Sequence, residues 1–306
     1  MLNKYEILIC NCPVADSRSH TNYSIMLGAI IGDIAGSRYE FNPTNDYHFE
    51  MFSPEADFTD DTICTIAIAD AFLRNRDFGA SLQDWCRRYP HPMGGYGGSF
   101  AQWVHSPHPQ PYNSFGNGAA MRVSPAAWWP MNGVEILAKR TAECTHNHPE
   151  GIKGAQAVAL AIYECIFLGM RLEAEERQTT KEEIIEKGLN KALRLSGYDI
   201  NIDIRDVQNR FDETCQGTVP VAFWIISESH SFEDAVRRAV SLGADADTLG
   251  AIVGSIAEAI WGIPEDIKQK ALTYLPQEMR EVIDEFYNRC TQNKLILLNR
   301  ERNKDM

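Results

Sequence analysis

The chain has 306 residues, 44% of them apolar and 23% charged, the make-up of an ordinary globular protein. Intrinsic disorder, a collagen-like repeat and a miniature disulfide scaffold are excluded. Its 29 Lys and Arg against 42 Asp and Glu leave a net charge of −13, which repels phosphate backbones and argues against a nucleic-acid partner.

Residues 1–25 are polar and irregular, and the segment 5–10 (YEILIC) is a short strand pattern, the best in the chain. They read as an N-terminal extension or arm ahead of a single all-α domain over 26–306. That domain opens with Gly28, Gly32 and Gly36 on one face of a helix. Glycine inside a helix costs roughly 0.5–1 kcal/mol relative to alanine, so some neighbour must need that face bare, and close packing is the plain reading. Asp33 is placed to serve a neighbouring helix end. Glu40, where the small-residue pattern stops, is free to enter a site. Helical periodicity then predicts helices over 62–73, 153–168, 181–195, 219–229, 232–242, 248–260, 264–275 and 276–298. Glycine-rich loops at 93–99 and 113–119 flank a proline-rich stretch at 106–112. The longest apolar run, 157–170, contains Glu164 and falls short of the roughly 20 residues that span a bilayer, so no membrane partner is expected.

Eight cysteines are present, Cys10, Cys12, Cys64, Cys86, Cys144, Cys165, Cys215 and Cys290, with no C-x-x-C pair. The spacing gives neither a zinc site nor a disulfide framework. Reduced thiols buried in apolar helices, as at Cys64 and Cys165, are the plain reading. With no signal-like N-terminus, they give a cytoplasmic location as the expectation.

Two acidic clusters carry the strongest chemical signal. Phe58-Thr59-Asp60-Asp61-Thr62 and Gly243-Ala244-Asp245-Ala246-Asp247-Thr248 each lead into an apolar helix. Capping explains one carboxylate at a helix start. It does not explain two in each cluster. Four converging carboxylates without a cation would repel one another and raise their pKa values. Oxygen donors with no neighbouring Cys or His suit Mg²⁺, Mn²⁺ or Ca²⁺. Capping and metal binding both remain open on the pattern alone. The loop Ser114-Phe115-Gly116-Asn117-Gly118 lacks the third glycine and the preceding strand of a dinucleotide fingerprint. It mixes an aromatic, hydrogen-bonding side chains and bare backbone, as either a ligand loop or a flexible turn does. His146 and His148 read as phosphate contacts or as exposed or capping residues.

Together these segments resemble the ADP-ribosylglycohydrolase family. Five motifs stand in family order: GAIIGDIAGSRYE (28–40), FTDDT (58–62), GGYGGSF (94–100), SFGNGAAMR (114–122) and GADADTLGAIVGSIAEAIWG (243–262), with Thr145-His146 before the last. The resemblance implies an orthogonal all-α helical bundle holding two divalent cations, Mg²⁺ or Mn²⁺, in a central cleft. By motif match, Thr59, Asp60 and Asp61 would bind metal from one side and Asp245, Asp247 and Thr248 from the other. Glu40 matches a glutamate beside the metals that acts as acid or base, with Asp60, Asp61 and Asp247 completing the catalytic set. Gly95, Tyr96, Gly97 and Gly98 would lie near the diphosphate and distal ribose. Ser114, Phe115, Gly116 and Asn117 would lie around the diphosphate and adenosine, and His146 would touch phosphate. One departure is Ala246, where the family usually carries a hydroxyl.

The activity so implied is metal-dependent hydrolysis of the bond between ADP-ribose and an acceptor, most often arginine. Serine-linked ADP-ribose, poly(ADP-ribose) and O-acetyl-ADP-ribose are alternatives. Glycosidic bonds of this kind break through an oxocarbenium-like state. A second class is an ADP-ribose-binding or inhibitory protein whose arm, residues 1–25, blocks a partner such as an ADP-ribosylating toxin.

Overall fold

A computed structural model describes residues 25–131, 133–174 and 180–302, with side chains described through Gly169 and Thr291 in the helices closing the last two segments. Among the described residues the order is α1 (Leu27–Gly36), α2 (Asp60–Arg74), α3 (Phe78–Arg88), α4 (Gly98–His105), α5 (Ser124–Trp128), α6 (Val134–Ala142), α7 (Pro149–Ala174), α8 (Lys181–Ser196), α9 (Ile204–Val207), α10 (Cys215–Ser227), α11 (Phe232–Ser241), α12 (Ala246–Trp261), α13 (Glu265–Leu272) and α14 (Gln277–Arg302). Extended pairing among these residues is limited to two isolated bridges, Thr59 with Met93 and Gly116 with Thr214. The all-α expectation holds. The strand pattern at 5–10, the arm 1–24, Cys10 and Cys12 lie outside the described residues.

All eight predicted helices are present, with ends shifted by a few residues. Helix α10 starts four residues before the predicted 219. Thr214 caps it by accepting from the Gly217 amide at 3.0 Å, so Pro220 sits inside the helix rather than in its first turn. Helix α7 exceeds the predicted 153–168, and its stretch Pro149–Gly169 is long and apolar enough to cross a bilayer. Of its most apolar window 56% is buried within the molecule, with Ala155, Ala159, Ile162 and Cys165 fully enclosed, so it is a core helix. The described cysteines are free, and all but Cys144 are buried.

The bare face of α1 meets α12. A Cβ on Gly28 would lie 2.3 Å from the Gly254 carbonyl oxygen, one on Gly32 1.9 Å from that of Gly250, and one on Gly36 2.3 Å from that of Ala246. The partner numbers fall as those of α1 rise, so the helices run antiparallel, backbone against backbone. From α12, Glu258 accepts from the Gly28 amide at 2.9 Å and closes the N-terminus of α1, which has no side-chain cap of its own. This pairing brings the end of α1 to the start of α12. Asp33, one turn before that end, reaches the start of α2.

Overpacking a core costs about 1–3 kcal/mol, and a backbone carbonyl cannot swing aside as a side chain can. Gly32→Ala should therefore lower stability by at least the upper part of that range, read as a drop in Tm. Gly169→Ala on α7, where a Cβ meets nothing, should raise stability by up to about 1 kcal/mol.

Candidate active site

Three helix ends form the site: the end of α1, the start of α2 and the start of α12. At α2, capping is done by groups other than the paired aspartates. Thr59 Oγ1 accepts from the Asp61 amide at 3.2 Å. Asp33 reaches across from α1: its Oδ2 accepts from the amides of Thr59 at 3.0 Å and Thr62 at 3.1 Å and from the Thr62 hydroxyl at 2.5 Å, and its Oδ1 accepts from the Thr59 hydroxyl at 2.7 Å. The carboxylates of Asp60 and Asp61 are left for other work. At α12, Asp245 occupies the cap position but makes no capping hydrogen bond. Its Oδ2 instead accepts from Asn117 Nδ2 at 2.8 Å. The same amide reaches the Thr218 hydroxyl at 3.1 Å.

The acids converge. Asp33, Asp61, Asp245 and Asp247 are buried, with Asp61 2% and Asp247 3% exposed, while Asp60 and Glu40 are half-buried. Burial pushes the Asp33 carboxyl up to about 6 against the four hydrogen bonds that pull it down. Burial, then the charges of Asp247, Asp33 and Glu213, push Glu40 up to about 8. Asp245 rises to about 7 through burial, opposed by the Asn117 hydrogen bond. Asp60, Asp61 and Asp247 are held well above the usual carboxylate range, first by burial and then by neighbouring charge, that of Asp247 and Asp33 on Asp60 and Asp61 and that of Asp245 and Asp33 on Asp247. Thr248 Oγ1 lies 3.4 Å from Asp61 Oδ1. Asp61 Oδ2 is buried with no hydrogen-bond partner.

An orphaned carboxylate oxygen among mutually repelling, oxygen-only donors fits a hard divalent cation. Thr59, Asp60, Asp61, Asp245, Asp247 and Thr248 supply the donors. Among the described residues no three His, Cys, Asp or Glu side chains close into a ligand cage.

Two loops complete the surroundings. The glycine loop is tied to the start of α2 by the Met93–Thr59 bridge. Gly94, at φ +75°, presses on Glu40: a Cβ there would fall 2.2 Å from Oε2. Gly95, Gly97 and Gly98 face open space, and α4 begins at Gly98 without a side-chain cap. The Tyr96 hydroxyl donates to the Tyr89 carbonyl at 2.7 Å and anchors the loop to the end of α3. In the second loop Ser114 Oγ accepts from the Gly116 amide at 3.1 Å. The Asn117 amide donates to the Glu213 carbonyl at 2.7 Å. Phe115 is exposed and meets His148 edge-on. His146 is buried, 5% exposed, and burial with the Arg122 charge holds it well below its ordinary pKa. Gly94, Thr218 and Glu213 were not singled out in the sequence. Gly94 lies in the GGYGG motif, whereas nothing local marks Glu213, which is delivered by the Gly116–Thr214 bridge.

Comparison with known proteins agrees. The model of the family described as ADP-ribosylglycohydrolase matches residues 21–296. ADP-ribosylarginine hydrolase Tri1 of Pseudomonas putida is 22% identical over 300 residues, covering 87% of this chain and 78% of that protein. ADP-ribosylhydrolase ARH3 of Mus musculus is 25% identical over 317 residues, covering 80% and 85%. A solved chain described as an ADP-ribosylglycohydrolase-related protein complex shares the fold, with a TM-score of 0.62 at 23% identity over 87% of this chain and 96% of its own. The family match and the all-helical fold define the class as a helical hydrolase. The chain belongs to the ADP-ribosylglycohydrolase family, enzymes that hydrolyse bonds to ADP-ribose.

The raised carboxylates fix a sign. A group whose folded pKa lies above its unfolded value binds protons more tightly when folded, so stability falls as pH rises through the folded value. With Asp33 at about 6 and Asp245 at about 7, the protein in EDTA should lose Tm between pH 5.5 and pH 8. Asp247→Asn, which removes a shared repulsion, should flatten that slope in thermal melts.

Proposed function

We propose that this chain removes ADP-ribose from arginine side chains of modified proteins, using divalent cations, Mg²⁺ or Mn²⁺, held by Thr59, Asp60, Asp61, Asp245, Asp247 and Thr248. The observation that carries the cation reading is the buried, unpartnered Asp61 Oδ2 within the converged acids. The arginine acceptor is supported by the name of the Pseudomonas putida relative. Bound cations would supply a charge sink for the distal ribose hydroxyls and acidify a water.

The chain's own residues do the rest. Glu40, held above the usual carboxylate range first by burial, is the proton donor to the departing guanidino nitrogen as its bond to the ribose carbon breaks. Water adds to that carbon and its proton passes to a carboxylate. Gly94 leaves room for the Glu40 carboxyl, and Asn117 orients Asp245. The open glycines before α4 present bare amides at a helix N-terminus, a receptor for the diphosphate. Ser114, Phe115, Gly116 and His146 border the same ligand.

The test is release of free ADP-ribose from an arginine-ADP-ribosylated protein, with Mg²⁺, Mn²⁺ or EDTA. Release should need the cation. Asn117→Ala should cost about 10–100-fold, as loss of a residue that orients a metal ligand does, and Asp60→Ala or Asp247→Ala should cost more. Release undiminished in EDTA, or tens of per cent residual activity in a folded Asp60→Ala protein, would sink the reading. Faster release from a serine-linked substrate would change the acceptor.

A further inference from the structure

Arg122 heads the fully buried side chains by volume and is 1% exposed. Its hydrogen bonds go to the Thr141 carbonyl at 3.2 Å, the Thr145 hydroxyl at 2.7 Å and, at 4.0 Å, the Cys144 sulfur, with the Phe100 ring 5.8 Å from the guanidinium carbon. Its Nε has no hydrogen-bond partner, and no carboxylate pairs with it among the described residues. A buried cation without a counter-charge is costly. The guanidinium has no acceptor to offer, so the Thr145 oxygen receives its hydrogen and must place its own proton elsewhere.

Among the described residues three acceptors are near, of which the Cys144 sulfur is a weak one that an Arg122 N–H already approaches at 4.0 Å. His146 Nδ1 is 2.7 Å away and the Ala142 carbonyl 3.5 Å. The carbonyl is beyond normal O–H···O range, and it already accepts from the Thr145 amide at 3.1 Å and the His146 amide at 2.8 Å. The hydroxyl therefore donates to Nδ1. An imidazole that accepts at Nδ1 is neutral and carries its proton on Nε2. Burial and the nearby Arg122 charge favour the neutral ring in the same direction. Nε2 looks onto bare backbone, 3.1 Å from where a Cβ on Gly118 would stand and 3.6 Å from one on Gly116. It has no hydrogen-bond partner among the described residues.

We propose that Arg122 and Thr145 are positioning residues that fix His146 as the Nε2–H tautomer, a donor for an anionic ligand oxygen seated on the Gly116–Gly118 loop. The unpaired Arg122 charge then finds its counter-ion in the ligand, through the Thr145–His146 relay. With the functional reading above, on which this part rests, that ligand is the diphosphate of ADP-ribose. Arg122 and Thr145 touch neither the ligand nor the reacting atoms.

The test uses the whole chain labelled with ¹⁵N-histidine, in which two-bond ¹H–¹⁵N correlations assign each ring's tautomer. His146, identified by the signal lost in His146→Gln, is expected as Nε2–H near neutral pH in wild type and in Thr145→Ser, and as a mixture in Thr145→Val. Thr145→Val should bind ADP-ribose and inorganic pyrophosphate, each with Mg²⁺, at least about tenfold more weakly than wild type, and Thr145→Ser should restore binding. An Nδ1–H or doubly protonated His146 in wild type overturns the proposal, without any variant having to fold. Unchanged affinity in Thr145→Val overturns it too, as does a wild type that binds neither anion. Relay-dependent binding of both anions with no release of ADP-ribose from any modified protein would support this proposal and sink the hydrolase reading alone.

Discussion

The approach of α1 to α12, backbone on backbone, is the constraint on which the site depends. Gly28, Gly32 and Gly36 meet Gly254, Gly250 and Ala246 with no room for a Cβ. Each glycine weakens its own helix, so local stability is given up for placement. In return, Asp33 reaches the amides of Thr59 and Thr62, and the start of α2 is locked beside the start of α12. A wider helix pair would carry Asp33 away from α2 and separate the two aspartate pairs.

Placement at helix starts also answers an electrostatic problem. Buried carboxylates repel one another, yet here they crowd the positive ends of α2 and α12, where the helix dipoles favour negative charge. That offset is partial, because every acid of the cluster stays above its ordinary pKa. The contrast with the other helices is informative. Asp77, Thr180, Thr214 and Ser231 cap α3, α8, α10 and α11 with their own side chains, whereas Asp245 at α12 does not. Carboxylates released from capping and left short of partners are poised for a cation.

Much of this was legible in the residues. The bare face at 28, 32 and 36 predicts a close neighbour, and periodicity predicts helices that the structure contains, because long apolar stripes must be buried wherever the chain folds. The residues alone do not separate capping from metal binding at Asp60 and Asp61, since the deciding fact is partly long-range: Asp33, from another helix, shares the capping with Thr59. Helix α3 carries a clear apolar stripe, Phe78, Leu82, Trp85 and Cys86, that is absent from the predicted elements, whereas α4 and α6 are short and flanked by loops. The hydrogen bond from the Tyr96 hydroxyl to the Tyr89 carbonyl is one the motif does not announce. The Arg122–Thr145–His146 relay involves neighbours in sequence only in its last two members, and nothing in the pattern reports a buried arginine without a carboxylate.

The central claim, that the converged acids form a cation site, is tested most directly by Mn²⁺ titration of the whole chain, followed by the EPR signal of free ion. The account predicts saturable loss of that signal in wild type, suppressed by Mg²⁺, and none in Asp61→Asn/Asp247→Asn. A wild type that leaves all added Mn²⁺ free, or a double variant that binds it equally well, would contradict the account.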